Sequence, residues 1–342
     1  MPIVLFALQA VLAAPATASD PFAFFRPSVV VSVDDRRHLD QGQPVAGVVP
    51  GQDSEVAVFA AVPVDVDGDR LVAWMRHIAD LKKSPYVLAI GRFSDPPRIE
   101  DLEGLTLDDE DLSEIRQCQP RHCGVKLTGA EMDRLRHTIA DAGTAWKPAL
   151  QDAFRHLVLE RVQLYLADGH AGLPAYEDKG GSVSRAASLS SVVRHSEFLG
   201  ERLPRFAEYL DHYPRAPMPD VESFIYWSKE RLGGRPIVSA THVGIVRGDG
   251  VLAPDALVAG KGIFATHYIN ASLGLTALMR GAPGAHDYLV YINRSDVDVV
   301  RGFFGGLARW LMERRLEKEA SGVLSGLRRR LESGDPDRAG QR

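Results

Sequence analysis

The last third of the chain carries the pattern that most restricts its fold. Five strand-like runs, over 223–229, 236–246, 256–270, 272–279 and 288–294, follow one another with short breaks. The breaks are rich in glycine (Gly233-Gly234, Gly248-Asp249-Gly250 and 281–284), which suits hairpin connections because glycine reaches backbone angles other residues avoid. A single helical pattern over 297–331 comes next. Val300, Phe303, Phe304, Leu307, Trp310 and Leu311 form its apolar stripe, continued by Val323, Leu324, Leu327 and Leu331. Successive hairpins make an antiparallel sheet, and a helix that follows must bury its stripe on it.

Upstream elements are of both kinds. Short strands are expected over 27–33 and 45–49. Over 55–66, Val56, Val58, Ala60, Val62 and Val64 share one face, while Ala57, Phe59 and Ala61 share the other. A strand apolar on both faces is covered on both. Helical spacing over 71–81 (Leu71, Trp74, Met75, Ile78, Leu81) precedes a strand over 86–93. The stretch 101–114 is acidic but lacks the spaced oxygen ligands and glycine turn of a calcium loop. Thr106 with Asp109 reads there as a helix N-cap, and Thr128 with Glu131 as a capping box. Helices are expected over 146–166 and 192–210, with a Gly-rich loop over 173–185 between them. No internal repeat is visible.

This order is α+β: a curved antiparallel sheet gripped by a long C-terminal helix, with a helical insertion at about 100–215. It resembles the helix-grip fold of the START and polyketide-cyclase superfamily, on 55–81 as first strand and helix and 223–331 as sheet and gripping helix. The resemblance implies a ligand cavity between sheet and helix for lipids, sterols or aromatic polyketides. Gly302, Gly305 and Gly306 flank Phe303 and Phe304. Helical glycines cost up to about 1 kcal/mol each relative to alanine, and here they suit either a bulky ligand or tight helix–sheet packing.

The N-terminus bears on compartment. An apolar run over 3–14, then Ala16-Thr17-Ala18, has the shape of a secretory signal cleaved after residue 18, though its only early positive charge is the terminal amine. The run is too short to span a bilayer, which takes about 20 residues. The expected organisation is therefore a signal over 1–18, one α+β domain over 19–335 and a disordered tail over 336–342, in a periplasmic or secreted protein. Cys118 and Cys123 are the only cysteines, which excludes a four-thiolate metal site. So close together in an exported chain, they favour a local disulfide; free thiols, or a metal shared with His122, are the alternatives. The net charge of −5 comes without an aromatic-basic motif, so no nucleic-acid partner is expected.

Two fragments attract chemical interest: Ala240-Thr241-His242 and Ala265-Thr266-His267-Tyr268. Alternation puts each imidazole on an apolar strand face, where both could enter the cavity as bases or ligands, or serve as hydrogen-bonded core residues. Tyr226, Tyr268 and Tyr291 combine an apolar ring with a polar tip, and Lys261 could hold an anion. Ser295 or Asp296 is expected to cap the long helix. No Gly-x-Ser-x-Gly elbow, His-Glu-x-x-His run, P-loop or dinucleotide fingerprint occurs, and no cofactor or metal is expected. The reading is an exported protein binding a hydrophobic or amphipathic small molecule under the C-terminal helix, with His242, His267, Tyr268, Lys261, Tyr226, Tyr291, Phe303 and Phe304 as candidate contacts. The alternatives are a periplasmic enzyme using His242 and His267, with or without a metal, and an envelope interaction protein. The basic side of the helix could touch anionic lipid peripherally, although Glu313, Glu317 and Glu319 interrupt it.

Overall fold

The structure is a computed structural model that describes residues 20–342 apart from 179–180, 232–233, 249, 251–252, 301–304, 335 and 337–342. The expected signal segment, and Phe303 and Phe304, lie outside the described residues.

Where a strand was expected over 27–33, a capping box starts a helix instead. Ser32 Oγ accepts from the Asp35 amide and the Asp35 carboxylate from the Ser32 amide, which opens α1 (Val33–Asp40). Next come β1 (Val45–Val49), β2 (Glu55–Val64), α2 (Gly68–Arg76), α3 (Ile78–Lys82) and β3 (Val87–Arg92). His77, at φ −100 and ψ 49, leaves helical angles and divides the pattern expected over 71–81.

The insertion follows as α4 (Asp109–Gln117), α5 (Gly129–Ala142) and α6 (Trp146–Asp168). Asp108, not Thr106, is the N-cap of α4, whereas the Thr128–Glu131 capping box forms as read. A small hairpin, β4 (Tyr176–Asp178) and β5 (Gly181–Val183), occupies the Gly-rich loop. The helix expected over 192–210 is divided among α7 (Arg185–Arg194), α8 (Glu197–Arg202) and α9 (Pro204–His212). Pro204 has no amide hydrogen for a preceding helix and opens α9.

The meander is β6 (Glu222–Arg231), β7 (Pro236–Arg247), β8 (Ala256–Ala265), β9 (Ile269–Met279) and β10 (Asp287–Val297), followed by α10 (Gly305–Glu332). Eight strands form one antiparallel sheet in the order β1-β2-β10-β9-β8-β7-β6-β3. Ser295 and Asp296 belong to β10 and do not cap α10.

The fold is thus α+β, a large antiparallel sheet with a C-terminal helix, and side-chain parity sorts its two faces. Ala57 and Phe59 of β2, Ala259 and Ile263 of β8 and Val290 and Ile292 of β10 pack with α5 to α9. Ala60, Val62 and Val64 of β2, with Val258 and Leu289, pack with α2, α3 and the Leu324 and Leu331 side chains of α10. All of β2 is therefore buried, as its doubly apolar sequence requires. Arg328 ties α10 to the Gly42 carbonyl at 3.2 Å, while Arg330 donates to the carbonyls of Leu81 and Lys83 at the end of α3.

Candidate functional site

On the α10 face the strands change character along their length. Val243 and Ile245 of β7, Ala256 and Val258 of β8, Leu278 of β9 and Leu289 of β10 are buried in the apolar cluster. Further along the same face come Thr241 and Ser239, Gly260, Thr276 and Gly274, then Tyr291 and Asn293. All of these but Thr276 are half-buried, although they sit in the middle of central strands.

Helix α10 lies beside this polar floor. Leu316, Ala320, Val323 and Leu327 are spaced to share one face of α10. The other three pack against the core, yet Val323 is 64% exposed. Helix α10 packs on β1 and β2 through Leu316, Ala320, Leu324, Leu327 and Leu331, and Val323 flanks that stripe; the polar floor of β7 to β10 lies beside it, and is called the trough below. Gly260 pairs with Gly274, so no side chain rises from the centre of the floor. A Cβ at Gly274 would lie 3.5 Å from Tyr291 Oη and 3.5 Å from Asn293 Nδ2.

Charge enters from α3. Lys82 Nζ donates to Glu230 Oε1 at 2.6 Å and to Tyr226 Oη at 3.3 Å. Ser228 Oγ donates to the same Glu230 oxygen at 2.6 Å. Burial opposes the Lys82 charge, but the Tyr226 hydroxyl and the Glu230 carboxylate outweigh it and raise its pKa. Burial likewise opposes ionisation of Glu230, and Lys82 with Ser228 outweighs it, so this carboxyl titrates below its ordinary value. Burial raises the Tyr291 phenol above its ordinary value, so it is a neutral hydroxyl at physiological pH. The trough thus offers an ammonium, a carboxylate and a row of hydroxyl and amide groups beside the apolar stripe of α10.

The sequence reading placed more residues here than the structure does. Tyr226 and Tyr291 lie in the trough. His242 and Lys261 lie across the sheet, beneath the helical insertion. The reason is parity: they alternate with Val243 and Gly260, which face α10. His242 Nδ1 is 2.7 Å from Tyr165 Oη and its Nε2 is 3.3 Å from Tyr209 Oη. Burial, helped by the Lys261 charge, pushes that imidazole down to about 3.

His267 and Tyr268 are displaced for a different reason: β8 ends at Ala265, and Tyr268 takes the left-handed angle φ 58. The His267 ring is locked between the Gly124 carbonyl, 2.6 Å from Nδ1, and Asp111 Oδ1, 3.0 Å from Nε2. The two imidazoles therefore share no pocket, and protein groups engage both nitrogens of each. Among the described residues no group of three or more His, Cys, Asp or Glu side chains is placed to hold a metal. Cys118 and Cys123 are joined in a disulfide, which leaves neither as a free thiol.

Lys82, Ser239, Thr241 and Asn293 were missed. The only sequence signal was polar residues at alternate positions within apolar strands, a pattern that solvated sheets share.

No protein-family model and no curated protein sequence matches the chain. Among solved structures it is similar to TTHA0849 of Thermus thermophilus, at 14% identity and TM-score 0.25, covering 42% of this chain and 89% of that one. It is similar to the Zhui aromatase/cyclase of a Streptomyces species at 13% identity and TM-score 0.25, covering 43% and 88%. It is also similar to StfQ, a di-domain aromatase/cyclase of the steffimycin biosynthetic pathway, at 13% identity and TM-score 0.24, covering 94% and 96%. Likenesses this distant do not name a ligand or a reaction. Among the described residues no helix is long and apolar enough to cross a membrane.

Proposed function

We propose that this chain binds an amphipathic, oxygen-bearing small molecule in the trough beside α10. The observation that carries this reading is the half-buried polar floor in the middle of the central strands β7 to β10, beside α10 and α3. An apolar body would lie against α10, with its oxygens on Lys82, Tyr226, Tyr291 and the strand hydroxyls. A purely aliphatic ligand would leave those groups without partners, which is unfavourable. The Cys118–Cys123 disulfide supports the further proposal that the protein works outside the reducing cytosol, in the periplasm or beyond.

Calorimetric titration with two probes tests the reading. The first, 1,8-dihydroxyanthraquinone, is flat and hydroxylated; the second, palmitate, is an aliphatic chain with one charged end. Tighter binding of the quinone is expected. Preference for palmitate would favour a lipid carrier, and failure of both, with no molecule retained in native mass spectra, would refute the proposal.

A further inference from the structure

The first turns of α10 carry an apolar patch on the side away from the sheet. Leu307, Trp310 and Leu311 are 58%, 49% and 54% exposed. At about 100° per residue, Trp310 and Leu311 lie within about 60° of the line that Leu307 marks along the helix. Met312, Leu316 and Ala320, which pack on the core, lie on the opposite side.

Charge is sorted around the same line. Arg314 and Lys318 are exposed and lie about 20° to either side of it. Among the described residues no carboxylate pairs with either. Like charges at i and i+4 weaken a helix, so nothing within α10 favours this pair. The Arg314 guanidinium stands 4.8 Å from the centre of the Trp310 ring, which joins the cations to the apolar patch. Glu313, Glu317 and Glu319 lie about 80° to 120° off the line, and Glu319 accepts from Arg315 Nε at 2.8 Å. Arg309 points to the sheet side, where it donates to the Asp53 carbonyl. The helix is nearly neutral as a whole, yet its outward strip over 307–318 holds three apolar side chains, two cations and no acid.

These groups select the partner. A second copy meeting strip to strip would bury both cations against a surface with no acid of its own. A few turns of one convex helix face also fall short of the roughly 800 Å² per partner that a stable protein interface buries. An anionic bilayer needs no matching groove. It takes leucine and indole at the headgroup boundary, while long cationic side chains reach the lipid phosphates.

We propose that the outward strip of α10 docks the protein on an anionic lipid surface. Leu307, Trp310 and Leu311 would enter the headgroup boundary, and Arg314 and Lys318 would meet lipid phosphates.

Sedimentation of the full chain with vesicles tests this. Vesicles of phosphatidylcholine and phosphatidylglycerol in equal parts should bind about tenfold or more tighter than phosphatidylcholine alone, the worth of two cations near an anionic surface. Arg314→Gln with Lys318→Gln should remove that preference. Trp310→Gln should weaken binding to the anionic vesicles about tenfold or more. Arg202→Gln with Arg205→Gln removes two exposed cations on α8 and α9, changes net charge equally, and should leave binding unchanged. Circular dichroism identifies a strip variant that fails to fold, in which case the other decides. No preference for the anionic vesicles, an equal loss in the Arg202 and Arg205 control, or unchanged binding in the folded strip variants overturns the proposal. So does a concentration-dependent dimer that Trp310→Gln abolishes, which gives the strip to a second copy. Binding to soluble polyglutamate without binding to vesicles gives it to an acidic protein, and equally overturns the proposal.

Discussion

Removing the charge of Lys261 is expected to make the protein more stable near neutral pH, and the gain should fade as pH rises. The side chain has no exposed surface. Its Nζ donates to the Leu210 carbonyl and lies 5.0 Å from the centre of the Tyr165 ring. Burial pushes the ammonium from an ordinary 10.5 down to about 7, with the charge of Asp211 opposing. The folded-state value is depressed, so between pH 7 and 10.5 the unfolded chain binds the extra proton, and stability rises with pH across that window. From these two values the buried charge costs ~4 kcal/mol at pH 7 and ~2 kcal/mol at pH 9. Lys261→Met abolishes that penalty but leaves the buried Leu210 carbonyl without its donor, which costs ~2 kcal/mol. The variant should therefore gain ~2 kcal/mol at pH 7 and be close to wild type at pH 9. Urea unfolding followed by circular dichroism at both pH values measures the difference, from which titrations common to both proteins cancel. A wild-type-to-variant gap that stays constant from pH 7 to 9 would refute the reasoning.

Other expectations rest on single features. Replacing Cys118 and Cys123 together by serine should cost about 2 kcal/mol, the loop-closure value for so short a ring, read as a fall in the urea midpoint. Lys82→Met strands the Glu230 carboxylate and should cost ~3 kcal/mol; adding Glu230→Gln should recover at least about half, a coupling that a double-mutant cycle reports. Gly274→Val should leave the thermal midpoint within a few degrees, because its Cβ meets only ordinary contacts 3.5 Å away, yet abolish binding of 1,8-dihydroxyanthraquinone. If that variant still binds the quinone, the ligand is not on this floor.

Local patterns carried much of the architecture. The glycine-punctuated meander, the doubly apolar β2 and the Thr128–Glu131 box each depend on residues a few positions apart, and each formed. What failed depended on chain-wide geometry. Whether His242 faces α10 or the insertion turns on which layer covers which parity of β7, and both parities there are apolar. The left-handed Tyr268 ends the alternation that would have put His267 on a strand face, and no glycine or proline at residues 266–268 announces the turn. The Lys82–Glu230 pair joins residues 148 apart in sequence, a proximity that only the folded sheet creates. Half of the trough was therefore legible as the tyrosines 226 and 291, and its charges were not.

Strand β10 serves both faces at once. Tyr291 and Asn293 look toward α10, while Arg294 and Asp296 look toward α7, one residue out of phase. The two faces of the sheet are in this sense written in alternate letters of a single word. Deleting one residue between Tyr291 and Arg294 would turn every following side chain over, driving a guanidinium under the helix and an amide into the opposite layer. Natural variation in this strand can exchange letters in place, but it cannot insert or drop one without erasing both meanings together.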